Sequence, residues 1–186
     1  MSRLMQAAEA YGEDRERDAL RLLRPLRDRL PDSPSVRELA GLSHYRLGNY
    51  AAAARELEAY LNLTDTVEQH PVLMDCYRAQ RRWRRVDECW LELAAASPSA
   101  ALVAEGRIVE AGSLADRGRL DEALTLLRRR SEPVRRAAEH HLRLWYALAD
   151  LEERAGNLAR ARDLFDRVRR AEPSFADVAE RRAALG

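Results

Sequence analysis

The sequence predicts an all-α protein: a stack of about five antiparallel helix pairs closed by one last helix. Three observations carry that prediction. Apolar positions recur at a spacing near 34 residues, with Ala19, Leu23, Leu26 and Pro31 each standing 34 residues before Ala53, Leu57, Tyr60 and Asp65. Turns centred on glycine precede three of the recurring sets, at Leu47-Gly48-Asn49-Tyr50, Arg117-Gly118-Arg119-Leu120 and Ala155-Gly156-Asn157-Leu158. No stretch shows the period-two alternation of a strand.

The elements follow in order. The unit over residues 1–32 carries Pro25 inside its second helix, where the missing N–H and the ring predict a kink. The unit over 33–65 starts at Asp32-Ser33-Pro34, an oxygen-bearing cap followed by proline. Its turn at Gly48 supplies the left-handed residue that closes one helix before Tyr50 begins the next apolar stripe. In the unit over 66–98, Pro71 predicts a late helix start after His70. The spacing is 33 residues from Ala53 to Val86, 37 from Val86 to Ala123 and 38 from Ala123 to Ala161. An excess of three or four is about one helical turn and lengthens a helix without rotating its buried face. These longer units cover 99–133, starting at Ser97-Pro98-Ser99, and 134–173. Ala53, Ala123 and Ala161 are small enough to let paired helices approach, while Leu57, Leu127 and Phe165 fill the space beyond. In the last segment, 174–185, Phe175, Val178 and Leu185 face the core, Arg181 and Arg182 point away, and Ser174 offers a cap. It reads as a capping helix over the final pair.

These residues resemble the tetratricopeptide repeat, a 34-residue helix pair with a Trp-Leu-Gly-Tyr first half and an Ala-Phe-Pro second half. Trp145, Leu148, Ala149, Gly156, Leu158, Ala161, Phe165, Val168 and Pro173 match it best. Gly41, Gly48, Tyr50, Ala53, Leu57 and Tyr60 follow, then Tyr77, Trp83, Val86, Trp90 and Pro98. The resemblance implies a right-handed superhelical α-solenoid, read as a single domain over 1–186. The chain departs from the pattern at Met74, where a small residue is usual, at Arg81 in place of the turn glycine, and at Glu110 on an apolar position.

Composition excludes several classes of function. Hydrophobic residues make up 46% of the chain and charged residues 34%, enough apolar content for a folded protein. All 32 basic residues are arginine, which reads as codon bias in a GC-rich genome, and the net charge of +1 argues against a nucleic-acid or membrane-surface binder. No run approaches the roughly 20 apolar residues of a spanning helix, and Met1 to Ala10 lacks the pattern of a secretory signal. With only Cys76 and Cys89 for disulfides, a reducing, cytoplasmic setting is expected.

Catalytic signals are poor, so no enzyme is expected. Glycines are scattered at helix junctions and build no phosphate loop. His140 and His141 are adjacent and project about 100° apart on a helix, unlike an i, i+4 metal pair. His70, Cys76 and Cys89 could converge, but ordinary packing accounts for them, and neither metal nor cofactor is expected. Arg81-Arg82-Trp83-Arg84-Arg85 interleaves an aromatic with cations, as a nucleic-acid site would. Trp83, however, holds the same place as Tyr50, Leu120 and Leu158 and is expected in the core.

The resemblance also implies where a partner would lie, because in this family the first helices of successive repeats line a concave groove. Carried onto this sequence, the groove positions are Glu38, Leu42 and Tyr45, then Asp75 and Arg78, and finally Arg143, Tyr146, Asp150 and Glu153, with Ile108, Gly112 and Ala115 between. Tyrosine and arginine are enriched at binding hot spots. The expected function is therefore a protein-binding adaptor that takes a peptide or helix of another protein. The alternatives are nucleic-acid binding through Arg81 to Arg85, or self-assembly as a homo-oligomer.

Overall fold

A computed structural model describes residues 2–186; Met1 lies outside the described residues. Among these there are eleven α-helices and no strand. They run as five pairs: α1 (Arg3–Gly12) with α2 (Glu16–Arg29), α3 (Pro34–Arg46) with α4 (Tyr50–Thr64), α5 (His70–Ala79) with α6 (Trp83–Ala96), α7 (Ala100–Asp116) with α8 (Leu120–Arg128), and α9 (Glu139–Arg154) with α10 (Leu158–Ala171). A short α11 (Val178–Ala184) follows. No helix among the described residues is long and apolar enough to cross a membrane. The chain gathers into two compact units, residues 1–92 and 93–186.

Each pair turns through one left-handed residue: Asp14, Gly48, Arg81, Gly118 and Gly156 all have φ between 56° and 78°. Glycine takes this conformation without strain, whereas Asp14 and Arg81 adopt it at some cost. The turn thus survives the loss of glycine at Arg81. Backbone bonds close it, with the amide of Arg82 donating to Tyr77 O at 2.9 Å and that of Asn49 to His44 O at 2.9 Å.

The first unit packs Ala7, Leu23, Val36 and Ala40 into one cluster, with Leu4, Leu20 and Leu26 against it. Ala19, Ala53 and Leu57 are fully buried, as the recurring pattern requires. A Cβ on Gly41 would meet the Leu57 side chain at 2.7 Å, so α3 and α4 approach here over a residue without a side chain. Met74 is also fully buried, filling space that a small residue would leave. Helix α2 runs unbroken through Pro25, and Pro71 sits in the first turn of α5 after His70.

The second unit buries Leu127, Leu148, Phe165, Val168 and Trp145, with Phe175 and Leu185 packed against them. Trp145 Nε1 donates to Ser131 O at 3.1 Å, and Arg167 donates to the same carbonyl at 2.9 Å. The longer spacings have two sources. Helix α7 has 17 residues against 13 in α3, close to the added turn expected; α8 has only nine, and the chain then runs through 129–138 without helix.

Several expectations need correction. Tyr50 and Leu158 are exposed and Trp83 is only half-buried, because the first residue of each second helix lies at the rim, ahead of the buried stripe that starts three residues later. Of the predicted caps, Ser99 accepts from Leu102 N at 3.1 Å, but Ser33 makes no side-chain cap bond. Ser174 bonds Glu172 instead, and α11 starts only at Val178. Glu110 does lie on the inner face of α7, buried, with Arg117 Nη2 at 3.3 Å, so the register of that helix is regular. Two further glutamates are buried with guanidinium partners: Glu56 with Arg27 and Arg37, and Glu152 with Arg128.

Candidate interaction site

In the first unit, α3 lies against α5, which brings together the positions that the sequence assigns to a groove. Glu38, Leu42, Tyr45, Asp75 and Arg78 are all half-buried. They are also linked along the helices. Gln69, just before α5, donates to Glu38 Oε1 at 2.8 Å, and the Tyr45 hydroxyl donates to Asp75 Oδ2 at 2.8 Å. Arg78, one turn beyond Asp75, pairs with it at 3.6 Å. Burial, joined by the Asp75 carboxylate, pushes the Tyr45 hydroxyl well above the ordinary phenol range, so it stays a donor at any working pH. Leu42 adds an apolar side chain to the same helix, one turn before Tyr45.

In the second unit, Arg143 bonds Glu139 and reaches Glu105 of α7 at 3.2 Å. Ile108 is half-buried and packs on the core, and Ala115 is buried within it. The remaining positions are engaged by the end of the chain. The Tyr146 hydroxyl donates to Asp177, and its ring packs edge-on to Phe165 and against Phe175. Arg181 Nη2 donates to Asp150 at 2.9 Å and to Glu153 at 2.8 Å. Its guanidinium stands 5.1 Å from the Phe165 ring centre. Arg182 turns the other way to Asp166 at 2.9 Å. The arginines of α11 therefore do not point away from the fold; they dock it. Sequence reasoning missed Gln69, Asp177 and Arg181. The signal was a repeated offset, since Asp75 lies 30 residues after Tyr45 and Asp177 lies 31 after Tyr146.

Three of the four arginines in the run have acidic partners in their own unit. Arg84 and Arg85 bond Glu88 at 2.8 and 2.9 Å, and Arg82 lies 3.9 Å from Glu58. Arg82 and Arg85 also stack over the Tyr77 ring, at 4.6 and 5.2 Å. His140 and His141 lie closer than helical projection suggests, with ring centres 4.0 Å apart, and His141 Nδ1 accepts from the Ala138 amide at 3.0 Å.

Comparison with known proteins agrees with the helical-repeat fold. One tetratricopeptide-repeat model matches residues 4–68 and another matches 114–185. No curated protein matches the sequence. Among solved structures, TTC0263, a thermophilic TPR protein of Thermus thermophilus, is similar over 98% of this chain and 96% of its own, at 20% identity and a TM-score of 0.72. A putative kinesin light chain from Podospora anserina with nearly identical TPR-like repeats covers 94% of this chain and 96% of its own, at 15% identity and a TM-score of 0.72. YrrB, a TPR protein with an unusual peptide-binding site, is 16% identical over 96% of this chain and 89% of its own, with a TM-score of 0.58. At these identities the likeness concerns the fold, which together with the two model matches settles the family. The chain belongs to the tetratricopeptide repeat family.

Proposed function

We propose that this protein is an adaptor that holds an extended peptide or a helix of a partner protein against the first helices of its repeats, with Leu42, Tyr45 and Arg78 at the centre of the contact. Membership of the family supports an interaction scaffold in general, and its fold is generally non-catalytic. One observation carries the finer reading. In the second unit the last segment of this same chain reaches α9: Phe175, ahead of α11, packs against Tyr146, and Arg181 of α11, a helix packed on α10, is held between Asp150 and Glu153. A first-helix face of this protein thus accepts another segment of chain by those side-chain types. In the first unit α3 and α5 present a comparable set: Leu42 and Tyr45 as apolar and aromatic contacts, with Glu38, Asp75 and Arg78 as charges.

The test is a comparison of captured partners. The wild-type chain and a Leu42→Ala/Arg78→Ala variant are used as bait in lysate of the source organism, with Leu91→Ala, at a position 66% exposed on α6, as the control. Tyr45 is kept so that its bond to Asp75 survives. The reading predicts a discrete partner retained by the wild type and the control and lost from the double variant. Equal capture by all three rejects this surface. Nucleic-acid binding predicts retention that falls steeply with salt, and the pairing of the arginines with Glu58 and Glu88 speaks against it.

A further inference from the structure

The third helix pair carries a cluster that partner binding does not use. His70 opens α5, while Cys89 and Glu92 lie three residues apart on α6 and so share a face. The nitrogen, sulfur and carboxylate oxygen that they offer all lie within 4.8 Å of one another. They border a cavity of about 610 Å³ that Asp65 and Asn62 also line. The sequence set His70, Cys76 and Cys89 aside as ordinary packing; the three donors that converge are His70, Cys89 and Glu92.

The three groups are poorly explained by packing alone. His70 is 4% exposed; its Nε2 meets Glu92 Oε2 at 2.9 Å, while its buried Nδ1 has no hydrogen-bond partner. A buried polar atom left unpaired is uncommon and calls for a reason. Cys89 is a free thiol, also 4% exposed, set beside a carboxylate rather than among apolar neighbours only. Glu92 is the exposed member, with its side chain 65% exposed. Imidazole, thiolate and carboxylate form a mixed donor set that suits zinc; calcium and magnesium would need oxygen ligands.

We propose that His70, Cys89 and Glu92 form a zinc-binding site, with three protein donors and a fourth position open to the cavity for water. Zinc bonds of about 2.0–2.3 Å draw donors somewhat closer than 4.8 Å, and the exposed Glu92 side chain can make that adjustment. Coordination by Cys89 releases the thiol proton to solvent and leaves a thiolate on the metal. The bound ion joins the start of α5 to α6, so it stabilises the third helix pair by mass action.

The test uses the full chain, stripped of metal with a chelator and titrated with Zn²⁺ by calorimetry and with Co²⁺ by absorption spectroscopy. The site predicts one zinc per chain, and a cobalt spectrum with thiolate charge-transfer and tetrahedral ligand-field bands. Cys89→Ser removes the charge-transfer band and weakens zinc by at least about tenfold, whereas Cys76→Ala leaves both unchanged. Absence of one-to-one binding, or an unchanged affinity and spectrum in Cys89→Ser, overturns the proposal. Should Cys89→Ser disturb the fold, as read by circular dichroism, the exposed Glu92→Gln decides: a weaker zinc affinity with an intact fold sustains the site, and an unchanged affinity rejects it.

Discussion

Helices α5 and α11 meet their preceding first helices through the same link and are otherwise unlike. In the first unit the Tyr45 hydroxyl bonds Asp75 of α5, with Arg78 one turn on. In the second unit the Tyr146 hydroxyl bonds Asp177, at the start of α11, with Arg181 one turn on. Helix α5 buries His70, Pro71, Leu73, Met74, Cys76 and Tyr77, whereas α11 has seven residues and buries only Val178. What α5 gains from packing, α11 replaces in part with charge: Arg181 to Asp150 and Glu153, Arg182 to Asp166. The tyrosine–aspartate link sets the position of a following first helix, and α11 is such a helix with much of its apolar surface exchanged for arginine.

The comparison can be broken most forcefully by removing residues 174–186. This strips Val178, Phe175 and Leu185 from the second core and is expected to cost roughly 3 kcal/mol, read as a lower urea midpoint. A loss near zero would mean that α11 is not a structural helix at all. Next, Glu152→Gln removes a carboxylate that is 1% exposed and bonded to Arg128 and Asn157. A cost of about 2 kcal/mol is expected. Burial alone would raise the Glu152 carboxyl, but those bonds prevail and hold its pKa below the ordinary range.

Smaller effects sharpen the parallel. Tyr45→Phe and Tyr146→Phe should each cost about 1 kcal/mol, and a large inequality between them would argue against equivalent roles. Acid should loosen α11. The Arg182 bond holds the Asp166 carboxyl below its usual range, so its stabilisation is full above the unfolded pKa of about 3.9 and is lost as pH falls through the lower folded value. Hydrogen exchange in α11 should rise in that window when compared with an Asp166→Asn variant, which has no such transition. The smallest effect is salt: about 1 M NaCl screens the partly exposed pairs of α11 and should cost under about 0.5 kcal/mol.

Much of this was legible in the sequence because a repeat states each constraint several times. Ala53, Ala123 and Ala161 occur with Leu57, Leu127 and Phe165 at one spacing, and all six are fully buried. Other features occur once and have no periodic signal. Arg81 holds a left-handed turn that only comparison with Gly48 and Gly118 betrays. Arg181 resembled a solvated charge because a helical pattern ranks residues by polarity, whereas its guanidinium lies over Phe165 and meets Asp150. Trp83 and Leu158 misled in the opposite sense, as apolar residues at the rim. The pairing of first-helix residues with Gln69, Asp75 and Asp177 had no periodic signal, because it depends on how neighbouring helices stack.

The central claim, that a partner lies on the first helices of the first unit, is tested most directly by a photo-crosslinking amino acid placed at Leu42 and, in a separate chain, at the exposed Leu91 of α6. Illumination in cells of the source organism should yield one discrete crosslinked partner from position 42 and none from position 91. The same products from both positions, or products from position 91 alone, would contradict the account.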